Sequence, residues 1–102
     1  MADWVDACDA AELGEGEALG VQLRGEAIAL YRVDGVVYAS EDRCSHGLAS
    51  LSEGMLDGAI IECPLHFGCF DVRTGAPTAA PCSVPVRIFP AEERDGRVVV
   101  AL

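Results

Sequence analysis

Aliphatic and aromatic residues occur in short stretches along this chain, and pairs of turn-forming residues cut the stretches apart. Residues 26–33 and 36–40 are apolar, β-branched or aromatic over most of their length. Between them stands Asp34-Gly35, a two-residue hairpin signal, because both positions tolerate φ > 0. Asp57-Gly58 divides Met55-Leu56 from Ala59-Ile60-Ile61, and Asp95-Gly96 divides residues 86–92 from 97–102. Three such turns in 102 residues predict an all-β, antiparallel fold. The exception is Asp9-Ala10-Ala11-Glu12-Leu13, where an Asp cap favours a short helical turn. Trp4, at the head of the first strand, is expected to anchor the core or a sheet edge. No repeat, linker or low-complexity segment interrupts the pattern, so residues 1–102 are expected to form one domain.

An apolar fraction of 51% and a positive mean hydropathy exclude a disordered chain. The apolar run at residues 98–102 is far too short to span a bilayer. Met1-Ala2-Asp3-Trp4 lacks the basic and long apolar regions of a signal peptide, so a cytoplasmic protein with no membrane contact is expected. Seven basic and seventeen acidic residues give a formal charge of −10, with acids gathered in the first seventeen residues and in pairs such as Glu41-Asp42 and Glu92-Glu93. Phosphate backbones require the opposite sign, so nucleic acid is not an expected partner. A protein partner with a basic face is, although part of the acidic excess serves solubility.

The chemistry lies in Cys44-Ser45-His46 and Cys63-Pro64-Leu65-His66, separated by sixteen residues and containing both histidines of the chain. Two thiolates and two imidazoles form a ligand set for an iron–sulfur centre or for zinc. Zinc modules tend to pair Cys with Cys and His with His, whereas each loop here is mixed. Such close spacing requires sharp turns, for which Pro64 fixes φ and Gly47 and Gly68 supply freedom. The loops should also present backbone N–H donors to sulfur. Cys8, Cys69 and Cys82 read as reduced structural thiols.

Cys44-Ser45-His46-Gly47, then Cys63-Pro64-Leu65-His66-Phe67-Gly68-Cys69-Phe70-Asp71, then Thr74-Gly75 and the Pro-containing segment 77–85 together resemble the Rieske-type ferredoxins. The similarity is greatest to the small ferredoxin components of bacterial aromatic ring-hydroxylating dioxygenase systems. The resemblance implies a [2Fe–2S] cluster with Cys44 and Cys63 on an inner iron and His46 and His66 on an outer one. It implies an antiparallel Rieske-type barrel or sandwich carrying a small three-stranded cluster-binding subdomain, with ligand loops at about 42–50 and 62–71 and a covering Pro loop at about 77–85. It also implies a monomer that passes single electrons from a flavin-containing, NAD(P)H-dependent reductase to a terminal oxygenase.

High-potential members of the wider group carry an extra disulfide and hydroxyl donors near the cluster. The corresponding positions here are Ala49, Leu65, Gly68 and Phe70, which implies a potential near the low end of the Rieske range, roughly −150 mV. Leu48, Leu65 and Phe67 would flank the histidines at a docking tip. Catalysis by this chain is not expected: both histidines are committed, leaving none for a 2-His-1-carboxylate iron, and no dinucleotide fingerprint is present. Two alternatives remain at this stage, a Rieske small subunit of a nitrite reductase type and a zinc-stabilised interaction module.

Overall fold

The computed structural model describes residues 3–44, 49–65, 67–80 and 83–102. Its strands are β1 (Trp4–Asp9), β2 (Ala18–Leu23), β3 (Glu26–Val33), β4 (Val36–Glu41), β5 (Met55–Asp57), β6 (Ile60–Glu62), β7 (Cys69–Asp71), β8 (Pro77–Ala79), β9 (Ile88–Phe89), β10 (Ala91–Arg94) and β11 (Arg97–Ala101). They form three antiparallel sheets in the orders β1-β11-β10, β2-β3-β4-β9 and β5-β6-β7-β8. Among the described residues helix is confined to two single turns, Ala10–Glu12 and Leu51–Glu53. The first is capped as expected, the Asp9 carboxylate accepting from the Ala11 N–H at 2.9 Å. No helix among these residues is long and apolar enough to cross a membrane.

Each expected turn closes a hairpin. Asp34-Gly35 and Asp95-Gly96 have positive φ at both residues, as a right-twisted two-residue connection requires. In the β5–β6 hairpin the ladder runs to Asp57 opposite Ile60, so Gly58-Ala59 forms the turn, one residue later than expected. A fourth hairpin, at Arg24-Gly25, gave no sequence signal because arginine seldom occupies the left-handed region, yet Arg24 has φ of 52°.

Two further elements differ from expectation. Residues 86–92 do not form one strand: Ile88–Phe89 pairs with β4 and Ala91–Arg94 with β11, so the chain changes sheets at Pro90, which has no N–H for a ladder. Pro77–Ala79, expected inside a loop, pairs with β7 across a register shift, making the small sheet four-stranded instead of three-stranded.

β3 divides the interior. Ile28, Ala29, Leu30 and Tyr31 are fully buried, and alternate side chains enter opposite cores. Ile28 and Leu30 pack with Cys8, Leu13, Val37, Phe89, Val98 and Val100 inside the larger sheets. Ala29, Tyr31 and Val33 pack on the other side with Leu51, Ile61, Phe70, Val72 and Val86, and this second core contains Cys44 and Cys63.

Candidate metal centre

Both cysteines of the expected ligand set occupy equivalent positions in two hydrogen-bonded loops. The Cys44 N–H donates to the Ala49 carbonyl at 2.9 Å, and the Cys63 N–H to the Gly68 carbonyl at 2.7 Å, in each case five residues on. Arg43 bridges to Ser50 at the neck of the first loop, and β6 and β7 frame the second. His46 and His66, with Gly47, Leu48 and Cys82, lie outside the described residues.

The first neck is locked by Asp42. This carboxylate is buried, accepting from the Ser52 N–H at 2.7 Å and the Ser52 hydroxyl at 2.9 Å, while the Leu51 N–H donates to its carbonyl at 2.6 Å. Asp42 is therefore a structural acid and not one of the surface charges suggested by Glu41-Asp42. Two glycines tighten the frame: Gly54, which gave no sequence signal, and Gly75, which the resemblance included without a role. A side chain at Gly54 would collide with the Glu62 carbonyl next to Cys63, and one at Gly75 with the Val86 carbonyl. Gly75 also needs its φ of 81° and accepts from the Val86 N–H at 3.0 Å.

The two loops bring the sulfurs together. Cys44 and Cys63 are buried and free of disulfides, and the Cys63 thiol is hydrogen-bonded to that of Cys44. The Leu65 backbone lies toward the Cys63 sulfur and favours its thiolate, the kind of influence the loop was expected to provide. Burial foremost, and then the neighbouring Cys44 thiol, hold the Cys63 proton above its ordinary pKa. A positive metal charge reverses that preference, because a coordinating thiol is deprotonated outright. Paired thiols secluded from water, with backbone that favours the thiolate of one of them, fit an iron–sulfur ligand pair.

The remaining cysteines have other settings. Cys8 is buried in the aliphatic core, where desolvation raises its pKa. Cys69 is half-buried, opposite Glu62 on the ladder and on the reverse side of β7 from the core-facing Phe70. Burial and then Glu62 raise its pKa. Leu65 is 44% exposed and Phe67 is 68% exposed, so neither belongs to the protein core. Among the described residues of this loop Phe67 is left-handed, with φ of 60°, where Gly68 was the expected candidate. Trp4 lies at the edge of its sheet, its ring beneath the Arg94 guanidinium at 4.4 Å.

The family model of the Rieske [2Fe-2S] domain matches residues 3–90. This chain belongs to the Rieske [2Fe-2S] domain family. The Rieske chain is 48% identical to Ferredoxin CarAc of Metapseudomonas resinovorans, over 96% of its own length and 92% of that protein. It is 43% identical to the naphthalene 1,2-dioxygenase system ferredoxin component of Pseudomonas aeruginosa, over 97% and 95%. A solved complex of reduced oxygenase and oxidized ferredoxin in carbazole 1,9a-dioxygenase contains a chain that superposes with a TM-score of 0.91 and 47% identity, covering 96% of this chain and 92% of that one.

The cofactor of this Rieske domain is thus a [2Fe–2S] cluster, which sets aside the zinc module, and the chain is an electron carrier with no catalytic activity of its own. Near the paired thiols, Ala49 is buried and has no thiol for the extra disulfide of high-potential members, and Phe70 places a hydrocarbon ring in the core in place of a hydroxyl.

Proposed function

We infer that this Rieske ferredoxin holds its cluster through Cys44 and Cys63 on one iron and His46 and His66 on the other. It takes single electrons from a flavin-containing, NAD(P)H-dependent reductase and delivers them to a terminal ring-hydroxylating oxygenase in the cytoplasm, acting as a monomer. The observation carrying the ligand assignment is the matched closure of the two loops around neighbouring buried thiols, with a histidine two residues beyond Cys44 and three beyond Cys63. The partner assignment is supported by relatives that are ferredoxin components of dioxygenase systems and by the ferredoxin–oxygenase complex.

When bound, the cluster supplies a one-electron couple with imidazole ligands on one iron. The chain's own residues determine its setting. Residues 42–50 and 62–71 present the ligands, the Leu65 backbone favours the thiolate of Cys63, and the segment 77–85, which begins with the strand Pro77–Ala79, contributes cover. Leu65 and Phe67 offer an exposed apolar contact beside His66, suited to a brief redox encounter. The absence of hydroxyl donors at Gly68 and Phe70 keeps the potential low, at roughly −150 mV.

Reconstitution tests this reading. NADH-dependent hydroxylation by a purified oxygenase and reductase should require the chain and cease without it. A chain that takes up no electron from the reductase, or a midpoint potential well above zero, contradicts it.

A further inference from the structure

All seven basic residues of this chain are arginines, and six have an intramolecular role for the guanidinium. Arg24 pairs with Asp3 at 3.2 Å, Arg32 with Glu93 at 2.8 Å, Arg73 with Asp71 at 2.8 Å and Arg97 with Asp6 at 2.7 Å. Arg94 pairs with Glu92 and covers Trp4, and Arg87 lies 4.7 Å over the Phe89 ring. Among the described residues Arg43 alone has neither a carboxylate nor a ring for its guanidinium, in a protein with a formal charge of −10.

Its position makes that isolation informative. Arg43 lies between two buried residues, Asp42 and Cys44, and is itself exposed. Strand alternation turns its side chain away from the Asp42–Ser52 lock, and its bridge to Ser50 fixes its backbone at the neck of the first ligand loop. Arg43 is thus an exposed, uncommitted cation one residue from the proposed ligand Cys44, at the neck of the first ligand loop of an otherwise acidic protein. Covering a guanidinium with protein is unfavourable unless a carboxylate meets it, and the planar fork then forms two parallel hydrogen bonds.

We propose that Arg43 is a specificity-determining residue for docking, pairing with a carboxylate on the terminal oxygenase that receives the electron. The proposal rests on the carrier reading above. It places one acidic residue within an oxygenase face that is elsewhere basic. Bulk attraction between the acidic ferredoxin and that face governs encounter, while the Arg43 pair fixes register and penalises a partner lacking the carboxylate.

The two contributions have opposite signs under substitution. Removing any positive charge makes the ferredoxin more acidic and, by bulk attraction alone, leaves association with a basic face unchanged or faster. Arg97 provides the matched comparison. It is exposed beside the Asp95-Gly96 turn, whose Gly96 carbonyl accepts from Ala10 near Arg32, at the end of β3 remote from Asp42.

The experiment uses the cluster-loaded chain with purified oxygenases of the carbazole, naphthalene and p-cumate dioxygenase systems, taking whichever the wild type reduces fastest. Arg43→Gln should lower kcat/KM for ferredoxin by roughly tenfold, as loss of a close charged pair does at other interfaces. Arg43→Lys should fall between it and the wild type, and Arg97→Gln should show no loss. The cluster spectrum, midpoint potential and reduction by dithionite should be unchanged in all three. Equal behaviour of Arg43→Gln and Arg97→Gln, or a faster Arg43→Gln, overturns the proposal. Failure of the wild type to reduce any of the three oxygenases instead overturns the carrier reading and removes the basis of this one.

Discussion

The two cores on either side of β3 are filled differently. The core between the larger sheets is aliphatic apart from Cys8 and Phe89 and is closed by hairpins that hold their own registers. The second core joins those sheets to the small one and contains Cys44 and Cys63 among its packed residues. One is complete when the chain folds, whereas the other contains the two cysteines proposed as iron ligands. It follows that the larger sheets form a scaffold whose stability is independent of the cofactor, and that the small sheet shares its stability with the cluster.

Cluster removal gives the largest separation of the two. Apo protein should lose more than about 10 °C in Tm, given tight linkage of ligand to folding in a domain of this size. Amide protection should vanish first in β5–β8 and persist in β3, β4 and β11, as hydrogen exchange would report. Uniform loss across all sheets would erase the distinction between the cores.

Substitution sharpens it. Leu30→Ala and Phe70→Ala each empty a fully buried site and should cost about 2–5 and 3–5 kcal/mol respectively in denaturant unfolding. Their visible spectra should differ: Phe70→Ala should lose iron more rapidly to a chelator, and Leu30→Ala should retain it at the wild-type rate. Gly54→Ala drives a methyl into the Glu62 carbonyl beside Cys63 and should cost about 1–3 kcal/mol, with a shifted cluster spectrum.

The smallest effect is electrostatic. Arg73, through its side-chain hydrogen bond above all, holds the Asp71 carboxyl below the usual carboxylate range. A folded-state pKa below the unfolded value gives stability that is fully present above about pH 4 and is lost as pH falls through the lower folded value. Asp71→Asn keeps an oxygen for the Arg73 N–H but loses the charge. Its Tm should be slightly lower than wild type at pH 7, and the gap should close in acid.

The parts legible in the sequence were those set by local chemistry. Asp34-Gly35 and Asp95-Gly96 specify their turns wherever they occur, and the Cys and His spacings restrict what can be bound. What escaped was decided by distant neighbours. Arg24 takes a left-handed φ because the β2–β3 ladder demands a tight turn there. Pro90 splits a continuous apolar run because two sheets compete for its flanks. Asp42 resembled its exposed neighbour Glu41 until Ser52 was brought to it across the loop, and Gly54 shows its importance only against the Glu62 carbonyl. Of the four residues proposed as ligands, the structure describes the two cysteines and brings them together.

Low-temperature EPR of the dithionite-reduced protein, with ¹⁵N-histidine labelling and iron analysis, tests the ligand assignment most directly. Two irons per chain, a Rieske-type signal with coupling to two histidine nitrogens, and loss of that coupling pattern in His66→Cys are the predicted results. A signal without histidine coupling, or an unaltered one in His66→Cys, would contradict the account.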